Sequence, residues 1–294
     1  MNNKIYIVDV FAELQFSGNQ LAVIINDNNL TDQQMLAIAR ETNYSETTFI
    51  NPIIKDDNSY DVRIFTPLKE IPFAGHPVIG SAYVIANYLD TNIGNSLMLN
   101  LLAGQIPVNI HRHNNIIERL IMKQPSPKLG QIFDPEIISR VLSIAPEHID
   151  KTFPIMEVSN GFSVIIAPLK TLDTLRQVKI NRMEYDKLVA NIEPKGILVF
   201  TKGSFSGVDN LSARFFADFY GIPEDPATGS ANGSLAGYLI KTLYFGADNI
   251  DITVEQGYHM GRPSRLYLTA YEIASEIEVM VGGKVFGVLE GRLL

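Results

Sequence analysis

Runs of Ile, Val, Leu and aromatic residues, punctuated by short polar turns, set the layout of this chain. Residues 4–10 are rich in Ile, Tyr and Val and predict a strand. After the turn Ser17-Gly18-Asn19, residues 21–25 predict a second. Thr31-x-x-Gln34 is a capping box opening a helix to about Thr42, with Met35, Leu36, Ile38 and Ala39 on its apolar side. Asn43-Tyr44-Ser45 breaks that helix and residues 47–50 form the next strand, so Glu46 sits where a loop enters a strand. Residues 61–66 predict a strand and 67–75 a loop. Residues 77–89 have a helical pattern that is apolar nearly all round, and 228–239 are equally uncharged and rich in small residues. A helix without a charged face belongs inside a fold. Short strand-like stretches dominate elsewhere, at 97–102, 107–111, 116–122, 162–167, 196–200, 252–254, 266–268 and 277–281.

The two uncharged helices open on one motif carried twice. His76-Pro77-Val78-Ile79-Gly80-Ser81-Ala82 is matched 149 residues later by Asp225-Pro226-Ala227-Thr228-Gly229-Ser230-Ala231, in a chain of 294. Upstream, Arg63-Ile64-Phe65-Thr66 precedes the first copy much as Arg214-Phe215-Phe216-Ala217 precedes the second. Residues 123–130, with two prolines and a glycine, are the best linker candidate. The expected architecture is α+β: two like domains, each a curled mixed sheet around one apolar helix, with the site in the cleft between them. The domains are 1–123, with a C-terminal strand in 284–294 crossing back, and 130–283.

Composition narrows the chemistry. A net charge of −8 argues against a nucleic-acid partner, which would want a basic face. There are no cysteines, which excludes disulfides, thiolate nucleophiles and Cys-ligated zinc. The first residues reach an acid at Asp9, and no apolar run approaches the roughly 20 residues of a membrane span. A soluble cytoplasmic protein without a membrane partner is expected.

His76, before Pro77, places an imidazole at a helix mouth, either for proton transfer or simply for local hydrogen bonding. The other histidines (His111, His113, His148 and His259) offer no helical metal-site spacing, and no metal is expected. Asp225 before Pro226 is either a plain cap or part of an anion site, because Thr228, Gly229 and Ser230 add N–H groups and hydroxyls at the same mouth. A substrate carboxylate is the natural guest. The first copy offers a similar mouth at Ile79-Gly80-Ser81. Glu46 is either a solvated surface acid or a general acid/base flanked by Ser45, Thr47 and Phe49. Residues 255–264 read as a structured loop whose Arg262 either meets a substrate carboxylate or pairs within the fold. Asn19 either lines the same site or belongs to a hairpin turn.

Ser45-Glu46-Thr47-Thr48-Phe49, Phe73-Ala74-Gly75-His76-Pro77-x-x-Gly80, Glu224-Asp225-Pro226-Ala227-Thr228-Gly229-Ser230-Ala231 and Met260-Gly261-Arg262-Pro263-Ser264 together resemble the PhzF-like phenazine-biosynthesis family, in order and over nearly the whole chain. The resemblance implies the diaminopimelate-epimerase fold, with two pseudo-symmetric domains. It implies an isomerase in which a glutamate, matched by Glu46, moves a proton along a conjugated ring. His76, Asp225 and Ser230 match residues that hold substrate and assist the proton, and Gly75 matches a backbone contact. No metal, nucleotide or organic cofactor is implied, and members are commonly homodimers. Epimerases of this fold use paired thiols; here Ala74 and Asp225 stand at those places, so proton transfer falls to carboxylates and imidazole.

The leading expectation is a cofactor-independent isomerase of a small carboxylate-bearing metabolite, with Glu46, His76 and Asp225 catalytic. Gly75, Gly80, Ser81, Asn19, Thr228, Gly229, Ser230 and Arg262 are the substrate-binding candidates. A hydrolase or lyase on the same scaffold, or a non-catalytic binder of small acids, stays open.

Overall fold

Strand β1 (Lys4–Val10) pairs antiparallel with β2 (Asn19–Ile25), and helix α1 (Asp32–Thr42) then crosses over to place β3 (Thr47–Ile50) parallel to β2. The computed structural model describes residues 3–27, 29–274 and 276–294. Both bonds of the Thr31–Gln34 capping box are present. β4 (Ser59–Phe65) pairs antiparallel with β3, and the two-residue β5 (Glu70–Ile71) folds back onto β4 as a hook. Helix α2 (Gly75–Val84) follows, extended by a π turn over Ile85–Leu89, and leads to β6 (Ser96–Leu101), parallel to β4. β7 (Gly104–His113) and β8 (Ile116–Gln124) continue the sheet antiparallel. The C-terminal strand Val285–Arg292 returns to pair with β1. These segments form one compact unit, Met1–Lys123 with Gly282–Leu294.

The other unit is Gln124–Val281. Its elements are β9 (Lys128–Phe133), α3 (Pro135–Leu142), β10 (Ile155–Ser159), β11 (Ser163–Pro168), α4 (Leu172–Gln177), α5 (Arg182–Val189) and β12 (Gly196–Lys202). They continue with β13 (Leu211–Ala217), β14 (Ile222–Asp225), α6 (Gly229–Lys241), β15 (Asn249–Gln256), β16 (Ser264–Ile273) and β17 (Glu276–Gly283). From β10 to β16 the pairings run antiparallel, parallel, antiparallel, an antiparallel hook, parallel and antiparallel. That is the order found from β1 to β7. The duplicated motif therefore belongs to a duplicated topology.

In each unit the sheet curls around a helix whose buried length carries no charge. α2 packs against β1, β2, β3, β6 and β7, and every one of its residues but Tyr83 is buried. α6 packs against β10, β11, β15 and β16. A Cβ on Gly80 would lie 2.5 Å from Leu21 and 2.9 Å from Val10, so glycine there is what lets α2 touch the sheet. On the outer faces, α1 lays Met35 and Ala39 against Ala22, Ile24, Phe49 and Phe65. Leu142, Leu175 and Tyr185 of α3, α4 and α5 do the same against Ile165, Val199 and Phe216.

Each hook is fixed by the same device. Arg63 donates to both carboxylate oxygens of Glu70 at 2.7 and 2.6 Å, and Arg214 to both of Glu224 at 2.8 Å. Each guanidinium also lies over a phenylalanine two residues on, Phe65 at 5.2 Å and Phe216 at 4.9 Å. A bidentate pair sets direction as well as distance. The hook strands that lead into α2 and α6 are held in like fashion.

Three expectations need correction. The first uncharged helix starts at Gly75, not Pro77, and gives way to a π turn after Val84. The expected linker is mostly strand, since β8 runs to Gln124 and β9 starts at Lys128. Its prolines fall in the short break between them. Helices α3, α4 and α5 were not foreseen; each is eight residues or fewer, too short for periodicity to separate from a loop. No helix among the described residues is long and apolar enough to cross a membrane.

Candidate active site

Helix α2 begins without a side-chain cap: its N-cap is Ala74. The N–H groups of Gly75 and His76 consequently lack intrahelical acceptors, and Pro77 has no N–H to offer. His76 projects from this mouth, 5% exposed. Its Nε2 lies 3.4 Å from Oε2 of Glu46, and its Nδ1 lies 3.4 Å from the side-chain nitrogen of Asn19. Burial depresses the imidazole pKa to about 3, against a weaker upward pull from a hydrogen bond to the Gln20 backbone. The contact with Glu46 is therefore not an ion pair near neutral pH. It joins a neutral imidazole to a carboxyl group whose side chain is only 12% exposed.

The sheet sets both partners. Glu46 precedes β3 directly and Asn19 opens β2, two parallel neighbours that α2 packs against. Asn19 follows Gly18, whose φ of +69° and close approach to the Val10 carbonyl exclude a side chain. Beneath the mouth, Ser81 donates to Thr48 at 3.0 Å, and Thr47 shares a 2.8 Å hydrogen bond with Thr42. These hydroxyl pairs tie α2 and the end of α1 to β3.

At the second mouth, Thr228 takes the N-cap position of α6 without a side-chain cap bond, and Gly229 and Ser230 occupy its first turn. Asp225, 6% exposed, accepts a 2.5 Å hydrogen bond from the Thr228 hydroxyl. Gln256, at the end of β15 and 1% exposed, bonds the Asp225 carbonyl, both the N–H and the hydroxyl of Thr228, and Asn232. The carbonyls of Gly229 and Ser230 accept from Gln124 at 3.2 Å and Asn160 at 2.8 Å. The first turn is thereby held from behind, while the N–H groups of Gly229 and Ser230 have no intrahelical acceptor. Gly257, at φ +73°, abuts the carbonyls of Pro226 and Arg262. That contact brings the turn carrying Arg262 beside the start of this mouth.

Register makes the two mouths comparable position by position. Aligning Arg63 with Arg214 places Ile64 on Phe215; Thr48 pairs with Ile64 and Leu198 with Phe215. Glu46, two residues before Thr48, thus aligns with Gly196. A side chain at Gly196 would strike the Phe215 ring, at 2.5 Å. On the parallel neighbour, Asp61 pairs with Asn100 as Ser212 pairs with Glu255, so Gln256 aligns with Leu101. Glu46 and Gln256 each exist in one unit only.

Among the sequence candidates, the structure brings Glu46, His76, Asn19 and Gly75 together in one unit, and Asp225, Thr228, Gly229, Ser230 and the Arg262 turn together in the other. Gly80 and Ser81 do not form a mouth: they lie more than a turn inside α2, one packed on Leu21 and the other bonded to Thr48. The Thr228 hydroxyl is turned to Asp225 rather than outward. Gln256, Gln124 and Asn160 were missed. Their role depends on strand ends meeting α6, for which no local pattern exists. Among the described residues no group of three or more His, Asp or Glu side chains could hold a metal ion.

An acid with a side chain only 12% exposed, beside a neutral imidazole on a mixed α+β fold, is suited to moving a proton, and the relatives of this chain are isomerases. The profile of the PhzC-PhzF family, phenazine biosynthesis-like proteins, matches residues 8–291, and the chain belongs to that family. It is 33% identical to an uncharacterised isomerase of Clostridium acetobutylicum, over 99% of this chain and 98% of that protein. It is 32% identical to the trans-2,3-dihydro-3-hydroxyanthranilate isomerase of Pseudomonas fluorescens, over 98% of each. The crystal structure of a Bacillus anthracis phenazine biosynthesis protein of the PhzF family shares the fold, with a TM-score of 0.90 at 23% identity over 100% of this chain and 99% of that one.

Proposed function

We propose that this isomerase moves a proton, without a cofactor, on a small unsaturated metabolite bearing a carboxylate. The Glu46 carboxylate takes a proton from a carbon next to a conjugated system, the electron pair shifts along that system, and the same proton is returned at its far end. Glu46 ends as it began, so the cycle needs no oxidant and no second substrate. His76, kept neutral by burial, stands with its Nε2 3.4 Å from Glu46, close enough to steady either protonation state of the acid. The α6 mouth, through the N–H groups of Gly229 and Ser230 and the Ser230 hydroxyl, takes the carboxylate, with Arg262 as a further counterion. Asp225 accepts a hydrogen bond from a substrate polar group and assists the shuttle.

The observation that carries this reading is the Glu46 side chain, only 12% exposed, set beside a neutral His76. A solvated surface acid would have neither feature. The test is incubation in D2O with trans-2,3-dihydro-3-hydroxyanthranilate, the compound for which several relatives are named. Isomerised product formed by wild type and lost in Glu46→Gln supports the reading. Undiminished turnover in that variant refutes the assignment.

A further inference from the structure

We propose that Gln256 is a positioning residue that, through the Thr228 hydroxyl, holds Asp225 as an ionised hydrogen-bond acceptor at the mouth of α6. The polarity of this chain of bonds is fixed by two backbone groups that cannot exchange roles. The Asp225 carbonyl can only accept, so the side-chain nitrogen of Gln256 must face it, at 2.8 Å. The Thr228 N–H can only donate, so the side-chain oxygen faces that, at 3.3 Å, and takes a second bond from Asn232 at 2.8 Å. The remaining amide proton lies toward Thr228 Oγ1, at 3.2 Å, which accepts it. The hydroxyl then directs its own proton to Oδ2 of Asp225, at 2.5 Å. A proton donated into a carboxylate favours the charged form.

The first unit supplies an internal control. In register, Asp225, Thr228 and Gln256 correspond to His76, Ile79 and Leu101. Three polar residues in one unit stand where the other has a histidine and two aliphatic side chains. The hydroxyl and the amide are present only where the mouth carries an acid. A glutamine needed merely to join β15 to α6 would not require a hydroxyl between itself and that acid.

This inference rests on Asp225 belonging to the proposed site, and its test reads the acid itself so that turnover is not needed. The intact chain, labelled with 13C at aspartate carboxyl carbons, is titrated by NMR, with Asp225 assigned from the signal missing in Asp225→Asn. Thr228→Val is expected to raise the Asp225 midpoint by about one pH unit, and Gln256→Leu to raise it by roughly half as much. Thr228→Ser, which keeps the hydroxyl, leaves it in place. An unmoved midpoint in folded Thr228→Val overturns the relay. A shift in Thr228→Val with none in Gln256→Leu removes Gln256 from it; should that variant not fold, Gln256→Met gives the same comparison. Absence of isomerised product from the wild type would refute the proposed isomerisation and leave the titration result standing.

Discussion

Glu46 Oε2 lies 3.4 Å from Nε2 of His76, and the position equivalent to Glu46 in the second unit is Gly196. The acid thus stands in only one half of a duplicated scaffold. Its partner His76 stands at the position where the other copy has Asp225.

Glu46→Gln keeps the shape and removes the proton-accepting carboxylate. Turnover should fall by about 10²- to 10⁴-fold with little change in KM, as for the loss of a general acid/base. Steady-state kinetics with thermal unfolding as a fold control would check this. A matching rise in KM with kcat preserved would make Glu46 a binding residue.

Stability should fall on mild acidification because of His76. Its folded pKa, about 3, lies below the ordinary value of 6.5, so the unfolded chain binds the proton more readily. The native state is undisturbed above pH 6.5 and loses stability as pH falls from there toward 3. Between pH 7 and pH 5 the loss from this group is about 2 kcal/mol. Urea unfolding at the two pH values should show it, and a His76→Gln variant should show a smaller difference.

Gly80→Ala should destabilise the chain by about 1–3 kcal/mol, because the added methyl meets Leu21 and Val10 in a filled interior. Gly94→Ala, where a Cβ meets nothing within 4 Å, should leave the melting temperature within about 1–2 °C of wild type. Equal effects at the two positions would contradict the packing assigned to α2.

Ser230→Ala should weaken binding of a carboxylate-bearing substrate roughly tenfold, the worth of one hydrogen bond to a charged group. The same variant should bind an uncharged amide analogue about as well as wild type does. Calorimetric titration of both compounds separates a carboxylate grip from a purely structural serine.

The capping box at Thr31 was legible in the sequence because both of its bonds are made within one turn of helix. The uncharged stretches at α2 and α6 were equally plain, since a helix that is apolar all round leaves nothing for solvent. Short amphipathic pieces such as α4 were not, because six residues hold less than two turns of pattern. At the site, His76 and Asp225 announced themselves through the repeat. Glu46 stood out only through its resemblance to a known motif, and Gln256 not at all.

The sequence by itself determined the capped helix, the two apolar helices, many of the strands, the duplication and the residue types at both helix mouths, because these depend on neighbours a few positions apart. The tertiary structure alone decided that Glu46 is half-buried beside His76, that burial keeps that imidazole neutral, and that Gln256 reaches Thr228 and Asp225. Those relations arise where strand ends are brought against helix mouths by sheet register. Register is a property of the folded sheet, not of any one segment, and the loss of water it imposes is what changes the chemistry of the groups it encloses.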